Sequence, residues 1–152
     1  MSDYRHNRVP GRSYFFTVRR ADPHSRLLTE QISAFGEAIR QARARRPFHV
    51  DAWVVLHNHA HTIWTLPPGD EDHAGRWRAV KIAFSKSVRT ARAHALVWQR
   101  HYQQRLVDDD EYARTVDYVH ADPVRHGMCM HAAQWPWSSV HRFVATGWIT
   151  AP

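Results

Sequence analysis

The 152-residue sequence predicts an α+β fold, a ferredoxin-like split βαβ sandwich with an additional C-terminal helix, and three observations carry that prediction. The period of the apolar residues switches between two and about 3.6 in the order β-α-β-β-α-β, with a further helix after the last strand. The length suits one domain with one core. Apolar residues make up 43% and aromatics 12%, enough to fill that core, and no stretch approaches the ~20 apolar residues that span a bilayer. Residues 1–152 therefore read as a single domain, with 1–12 as a basic arm and 124–152 as a tail packed on it.

Residues 13–18 (SYFFTV) are dense in aromatic and β-branched side chains and are bounded by Pro10-Gly11 and Ala21-Asp22-Pro23, which predicts the first strand. Leu28, Ile32, Phe35 and Ile39 then fall on one helical face, and Arg45-Arg46-Pro47 stops that helix. Residues 48–56 and 60–66 read as two strands joined by a tight turn at His57-Asn58. A second helix over 76–93 buries Trp77, Val80, Phe84 and Val88. Residues 96–107 supply a fourth strand and its approach. Asp108-Asp109-Asp110-Glu111 favours the start of a last helix, and that helix should end at Asp122-Pro123, because a residue before proline avoids the helical region.

Charge narrows the function. Lys plus Arg exceed Asp plus Glu by 21 to 14, and all the basic residues except Lys81 and Lys86 are arginine. A planar guanidinium binds phosphate bidentately and stacks on bases, which an ammonium cannot do. With seven tryptophans this composition points to nucleic acid, the competing reading being a protein of an arginine-favouring genome. Arg78, Lys81, Ser85, Arg89 and Arg92 align on one side of the second helix, a candidate phosphate track, although such stripes are often only solvated faces. The lone Cys129 excludes an internal disulfide framework and a multi-cysteine zinc site, and the first twelve residues hold no apolar signal core, so a reducing cytoplasm is expected.

The densest chemical signal is LHNHAHTIW at 56–64. Residues two apart in a strand share a face, so His59 and His61 can present imidazole nitrogens to one metal ion. Thirteen histidines in 152 residues make about one His-x-His pair by chance, so the weight lies in the strand context. An oxygen ligand must come from elsewhere. On the last helix Tyr112, Val116 and Val119 mark the buried side, while Tyr118 and Asp122, four apart, project together. A carboxylate beside two imidazoles suits a hard or borderline divalent cation. A phenol next to such a cation suggests a nucleophile toward a phosphodiester, giving a covalent phosphotyrosine whose formation can be reversed without ATP. A helical tyrosine is more commonly a core residue, so the role of Tyr118 rests on its neighbours.

Five ordered blocks, YRHNRVPGRSYFFTVRR, WVVLHNHAHTIWTLPPGD, VWQRHYQQRL, VDYVHADPVRHG and WPWSSVHRF, resemble the single-tyrosine HUH transposases, specifically the REP-associated tyrosine transposase branch. The resemblance runs over nearly the whole chain. It implies a ferredoxin-like domain with His59 and His61 as metal ligands and Tyr118 as the attacking residue. The substrate it implies is single-stranded DNA hairpins of repeated extragenic palindromes, preceded by a short guanine-rich tetranucleotide. DNA contact then falls to Arg5, Arg8 and Arg12 in the arm, with Trp98, Gln99 and Arg100 as further candidates. A monomer acting at the nucleoid is implied as well. Two positions depart from the family pattern. Asp122 stands where an amide is usual, and His57 where proline is usual. These departures motivate an alternative reading, a hairpin-binding module without cleavage. A zinc protein using His57, His59 and His61 is a third.

Overall fold

The computed structural model describes residues 8–88 and 98–149. Its elements run β1 (Ser13–Arg19), α1 (Leu27–Glu30), α2 (Ile32–Arg45), β2 (His49–Val55), β3 (His59–Thr65), α3 (His73–Val88), β4 (Gln103–Val107), α4 (Tyr112–Arg125), a 3-10 turn (Ala132–Gln134) and α5 (Val140–Ala145). The four strands form one antiparallel sheet in the order β2-β3-β1-β4, which is the split βαβ arrangement. All seven residues of β3 are buried, because helices cover both of its faces.

The two faces have separate cores. On one, Phe35, Ala38 and Ala42 of α2 and Trp77, Val80 and Phe84 of α3 pack on Tyr14, Phe16, Val18 and Trp64. Trp64 lies between Phe48 at 4.1 Å and Trp77 at 4.2 Å, ring centroid to ring centroid. On the other, Tyr112, Val116 and Val119 of α4 meet Ala52, Val54 and Ile63, with Trp135 and Phe143 of the tail. A bulge at Asp51, between the pairs Val50–Trp64 and Ala52–Ile63, shifts the register of β2. It turns Asp51 toward α4, where its carboxylate accepts from Tyr112 Oη at 2.5 Å and Thr65 Oγ1 at 2.8 Å. Gly11 is needed at the start of β1. Its φ is +125°, and a Cβ there would lie 1.8 Å from Leu66 O.

The tail closes an edge. β2 is outermost in the sheet, and an edge strand normally leaves backbone groups unpaired. Here Val55 N–H donates to Trp137 O, Trp135 Nε1 donates to Val55 O, Ser139 N–H donates to Trp53 O, and Ser139 Oγ accepts from Trp53 N–H, all within 2.8–2.9 Å. Arg142 Nη2 donates to Asp51 O at 2.6 Å. The same Ser139 Oγ meets His120 Nε2 at 2.7 Å, tying α4 to the tail.

Several boundaries differ from expectation. The helix expected to begin around Leu28 breaks at Gln31, because Leu28 and Thr29 turn inward and Leu28 N–H and Thr29 Oγ1 bond His57 O and His57 Nδ1. α3 begins at His73, earlier than 76, since Asp72 Oδ1 accepts the Gly75 N–H and supplies a cap. The expected helical end at 89–93 lies outside the described residues. β4 takes Gln103–Val107 of the stretch expected to hold a strand and its approach, and in that approach an isolated bridge joins Arg20 and Trp98. α4 does not stop at Asp122. It continues through Pro123 to Arg125 and ends in a Schellman motif, with Gly127 at φ +70° and Met128 N–H donating to Pro123 O at 2.9 Å.

Candidate active site

β3 and β1 build the site from below. The register pairs His61 with Thr17 and His59 with Arg19, all on the α4 face of the sheet. Thr17 Oγ1 bonds His61 Nδ1 at 2.8 Å, and Asn58 Oδ1 bonds His59 Nδ1 at 2.7 Å. Those bonds fix both rings and aim both Nε2 atoms at α4, the arrangement in which an outer partner orients a metal-ligating histidine. Asp122 meets them there, with Oδ2 2.8 Å from His59 Nε2 and Oδ1 3.3 Å from His61 Nε2.

All three side chains are buried, at 4%, 5% and 1% residue exposure for His59, His61 and Asp122. Their ligand atoms lie within 4.8 Å of one another. These three groups face one another away from water, and two imidazoles with a carboxylate suit a divalent cation. Burial alone would raise the Asp122 carboxyl. The bonds from His59 and His61 outweigh it and hold the group far below the usual carboxylate range, so it is an anion.

Tyr118 stands one helical turn before Asp122. It is 49% exposed, unlike the core residue a helical tyrosine usually is. Its ring meets His61 edge-on at 6.0 Å and Phe15 at 5.9 Å, so the phenol borders the His59–His61–Asp122 cluster. Arg125 locks the two together. Its guanidinium sits 3.6 Å over the Tyr118 ring centroid, Nη1 donates to Tyr118 O at 2.7 Å, and Nη2 donates to Asp122 Oδ1 at 2.7 Å. His126 Nε2 lies 3.4 Å from the same oxygen.

Sequence reasoning missed Arg125, Thr17 and Asn58. Arg125 follows Asp122 by three residues, a helical neighbour spacing that carried the signal. Thr17 is visible only once the β1–β3 register is known. His57, by contrast, stands apart from the cluster: it bonds Thr29 and packs edge-on against Trp135 at 5.7 Å, and burial lowers its pKa. A three-histidine zinc site is therefore not formed.

The candidate DNA contacts divide. Arg5, Arg89 and Arg92 lie outside the described residues. Arg8 is folded inward, paired with Asp109, bonded to Ser13 Oγ at 2.6 Å and stacked 4.3 Å over Tyr112. Arg12 is exposed and paired with Glu71. Arg78 and Lys81 sit on α3, on the sheet face opposite the His59–His61–Asp122 cluster. Lys81 lies 5.0 Å over Tyr102, and burial lowers its pKa. Trp98 is a correction: it is 7% exposed and packs against Phe35 and Phe84 in the core, so no base can stack on it here. Gln99 and Arg100 are exposed, and Gln99 N–H donates to Arg19 O at 2.9 Å, which sets them beside the histidine end of β1.

Comparison with known proteins yields a consistent set. No family model matches the chain. The REP-associated tyrosine transposase of Escherichia coli is 39% identical over 148 residues, covering 97% of this chain and 87% of that protein. A Haemophilus influenzae protein assigned to the same group is 32% identical over 155 residues, covering 95% and 88%. The solved structure of a REP-associated tyrosine transposase bound to a REP hairpin superposes with a TM-score of 0.86 at 38% identity, over 98% of this chain and 88% of that one. A Deinococcus radiodurans chain assigned as a transposase shares the fold, with a TM-score of 0.54 at 18% identity over 74% of this chain and 91% of its own.

Proposed function

Because this chain belongs to the REP-associated tyrosine transposase family, we propose that it is a metal-dependent single-stranded DNA endonuclease and strand transferase acting through Tyr118. The observation that carries this reading is the meeting of an exposed phenol with two buried histidines and a carboxylate at one place on the sheet. His59, His61 and Asp122 would hold the cation, Mg2+ or Mn2+. When bound, that ion supplies Lewis acidity toward a non-bridging phosphate oxygen. Tyr118 Oη forms a bond to phosphorus, one bridging P–O bond breaks, and the released DNA hydroxyl takes the proton. The phosphotyrosine keeps the energy of the phosphodiester, so attack by another DNA hydroxyl reverses the step and rejoins strands.

Arg125 places a positive charge between the phenol and Asp122. That charge offsets the extra anion of an aspartate standing where relatives usually carry an amide. The proposed substrate is a palindromic hairpin with its guanine-rich tetranucleotide, supported by the likeness to a transposase solved with a REP hairpin. Arg5, Arg12, Gln99 and Arg100 are its proposed contacts, and Arg8 joins them only by giving up its pairing with Asp109. No described helix is long and apolar enough to cross a membrane, and we place the protein's work at the nucleoid, as a monomer of one domain. Incubation of labelled hairpin DNA with the protein and Mg2+ or Mn2+ is expected to give a nicked strand and a denaturant-stable adduct. Both should vanish in Tyr118→Phe. Cleavage at the wild-type rate by Tyr118→Phe would refute the nucleophile. Tight hairpin binding without cleavage in any divalent ion would favour the non-catalytic module that Asp122 motivates.

A further inference from the structure

Antiparallel partners project to the same face of a sheet, so the register of β1 extends the active-site face sideways. The row through His59 reaches Arg19. That through His61 crosses Thr17 to Gln103, and that through Ile63 crosses Phe15 to Arg105. The two halves of this face are covered unequally. α4 rests on β2 and β3, and the tail closes the outer edge of β2 through Trp135, Trp137 and Ser139. Among the described residues, Arg19, Gln103 and Arg105 are exposed and Phe15 is half-buried. Tyr118 stands on the boundary, its ring over both His61 and Phe15.

A DNA strand with a phosphate held between Tyr118 and the histidines must continue in some direction. Toward β2 it meets α4 and the tail; toward β4, among the described residues, it meets the exposed Arg19, Gln103 and Arg105 and the half-buried Phe15, with Ser13, Thr17 and Val107 buried between them. We infer that the β1–β4 half of this face is the track for the single-stranded DNA flanking the scissile phosphate, with Arg19 and Arg105 on phosphates, Gln103 on a base edge and Phe15 as a stacking surface. The inference rests on the proposed strand-transfer reading of the same site. The side chains that β1 and β4 contribute carry no negative charge, and the carboxylate of Glu111 beside Arg105 comes from the start of α4. No residue that β1 or β4 turns to this face is acidic: they are Ser13, Phe15, Thr17, Arg19, Gln103, Arg105 and Val107. Arg19 has no carboxylate partner among the described residues. Arg105 shares Glu111 at 2.7 Å and lies 5.5 Å from the Phe15 ring centroid, so a base stacking there has a guanidinium beside it.

The test is fluorescence anisotropy with two oligonucleotides, a blunt-footed hairpin and the same hairpin carrying a single-stranded flank of about ten nucleotides. Arg19→Ala and Arg105→Ala are surface changes expected to fold; Phe15 is half-buried and stacks on His61 at 5.4 Å, so the fold of Phe15→Leu is checked by its urea midpoint. Arg19→Ala and Arg105→Ala should each weaken binding of the flanked DNA about four-fold near 0.15 M salt and flatten its salt slope by about 0.7, the share of one single-strand phosphate. Phe15→Leu should also weaken it. Binding of the blunt hairpin should stay at the wild-type value, and Arg40→Ala on the far face of the sheet should change neither. Equal losses on both DNAs would mean a general charge effect, and no loss would send the flank elsewhere; either result overturns the track. Adduct formation by the wild type is scored in parallel. An adduct with flank-insensitive binding sinks the track alone, whereas flank-dependent binding without any adduct sustains the track and removes the transferase reading.

Discussion

Arg125 touches the ring of Tyr118, its backbone carbonyl and the Asp122 carboxylate at once. One cation–π contact and two hydrogen bonds from the charged guanidinium together orient the phenol, and at this part-exposed site their loss costs about 1–3 kcal/mol. Arg125→Ala should therefore slow hairpin cleavage roughly ten- to hundred-fold while leaving hairpin affinity nearly unchanged, measured as single-turnover rate against Kd. Arg125→Lys keeps the charge without the planar stack and should fall between. An equal drop in rate and affinity in Arg125→Ala would make it a DNA contact instead. At this scale much of the site was legible in advance. His59 and His61 two apart on a strand, and Tyr118 and Asp122 four apart on a helix, are spacings that local periodicity fixes. Thr17 and Arg19 were not legible, because their place beside the histidines depends on which strand pairs with β3. Trp98 misled for a related reason: a tryptophan in a basic segment reads equally as a base platform or a core filler, and only the packing of Phe35 and Phe84 around it decides.

The elements that carry the site are held by polar bonds as much as by their cores. Ser139 satisfies both backbone groups of Trp53 on the edge of β2 and also bonds His120 of α4. Ser139→Ala leaves buried partners unpaired and should lower unfolding free energy by about 1–3 kcal/mol, read as a shift in the urea midpoint at constant slope. At the start of α3, the buried Arg76 guanidinium bonds both Asp70 oxygens at 2.9 and 3.0 Å and the carbonyls of Arg46, Pro47 and Asp72. The Arg76 bond lowers the Asp70 pKa to about 2. A carboxylate whose folded pKa is depressed stabilises the fold at pH above its unfolded value, near 4, and that contribution is lost as pH falls toward 2. Stability should drop across that window in the wild type, and more shallowly in Asp70→Asn; parallel acid limbs would contradict the pairing. Strands and helices were foreseen in the right order because their apolar periods are strong. Their ends were not. α4 passes Pro123 because Asp122 is held by His59 and Arg125 and because Gly127 closes the helix four residues later, a tertiary arrangement outweighing a local preference.

For the whole molecule, the sheet acts as a partition. One face carries α2 and α3 on an aromatic core; the other presents the histidines, α4 and the exposed Arg19, Gln103 and Arg105 of β1 and β4. Arg78 and Lys81, which helical periodicity marks as a phosphate track, belong to the far side of that partition, so the chain's net charge of +7 is not spent at one place. In the proposed strand transfer the phenol at the boundary becomes covalently bonded to DNA. Peptide mass spectrometry of the trypsin-digested protein–DNA adduct tests it directly. Cleavage after Arg114 and Arg125 releases residues 115–125, whose one tyrosine is Tyr118. The nucleotide mass is expected on that peptide, on Tyr118. Nucleotide mass on the peptide of Tyr102 or Tyr112, or on no tyrosine at all, would contradict it.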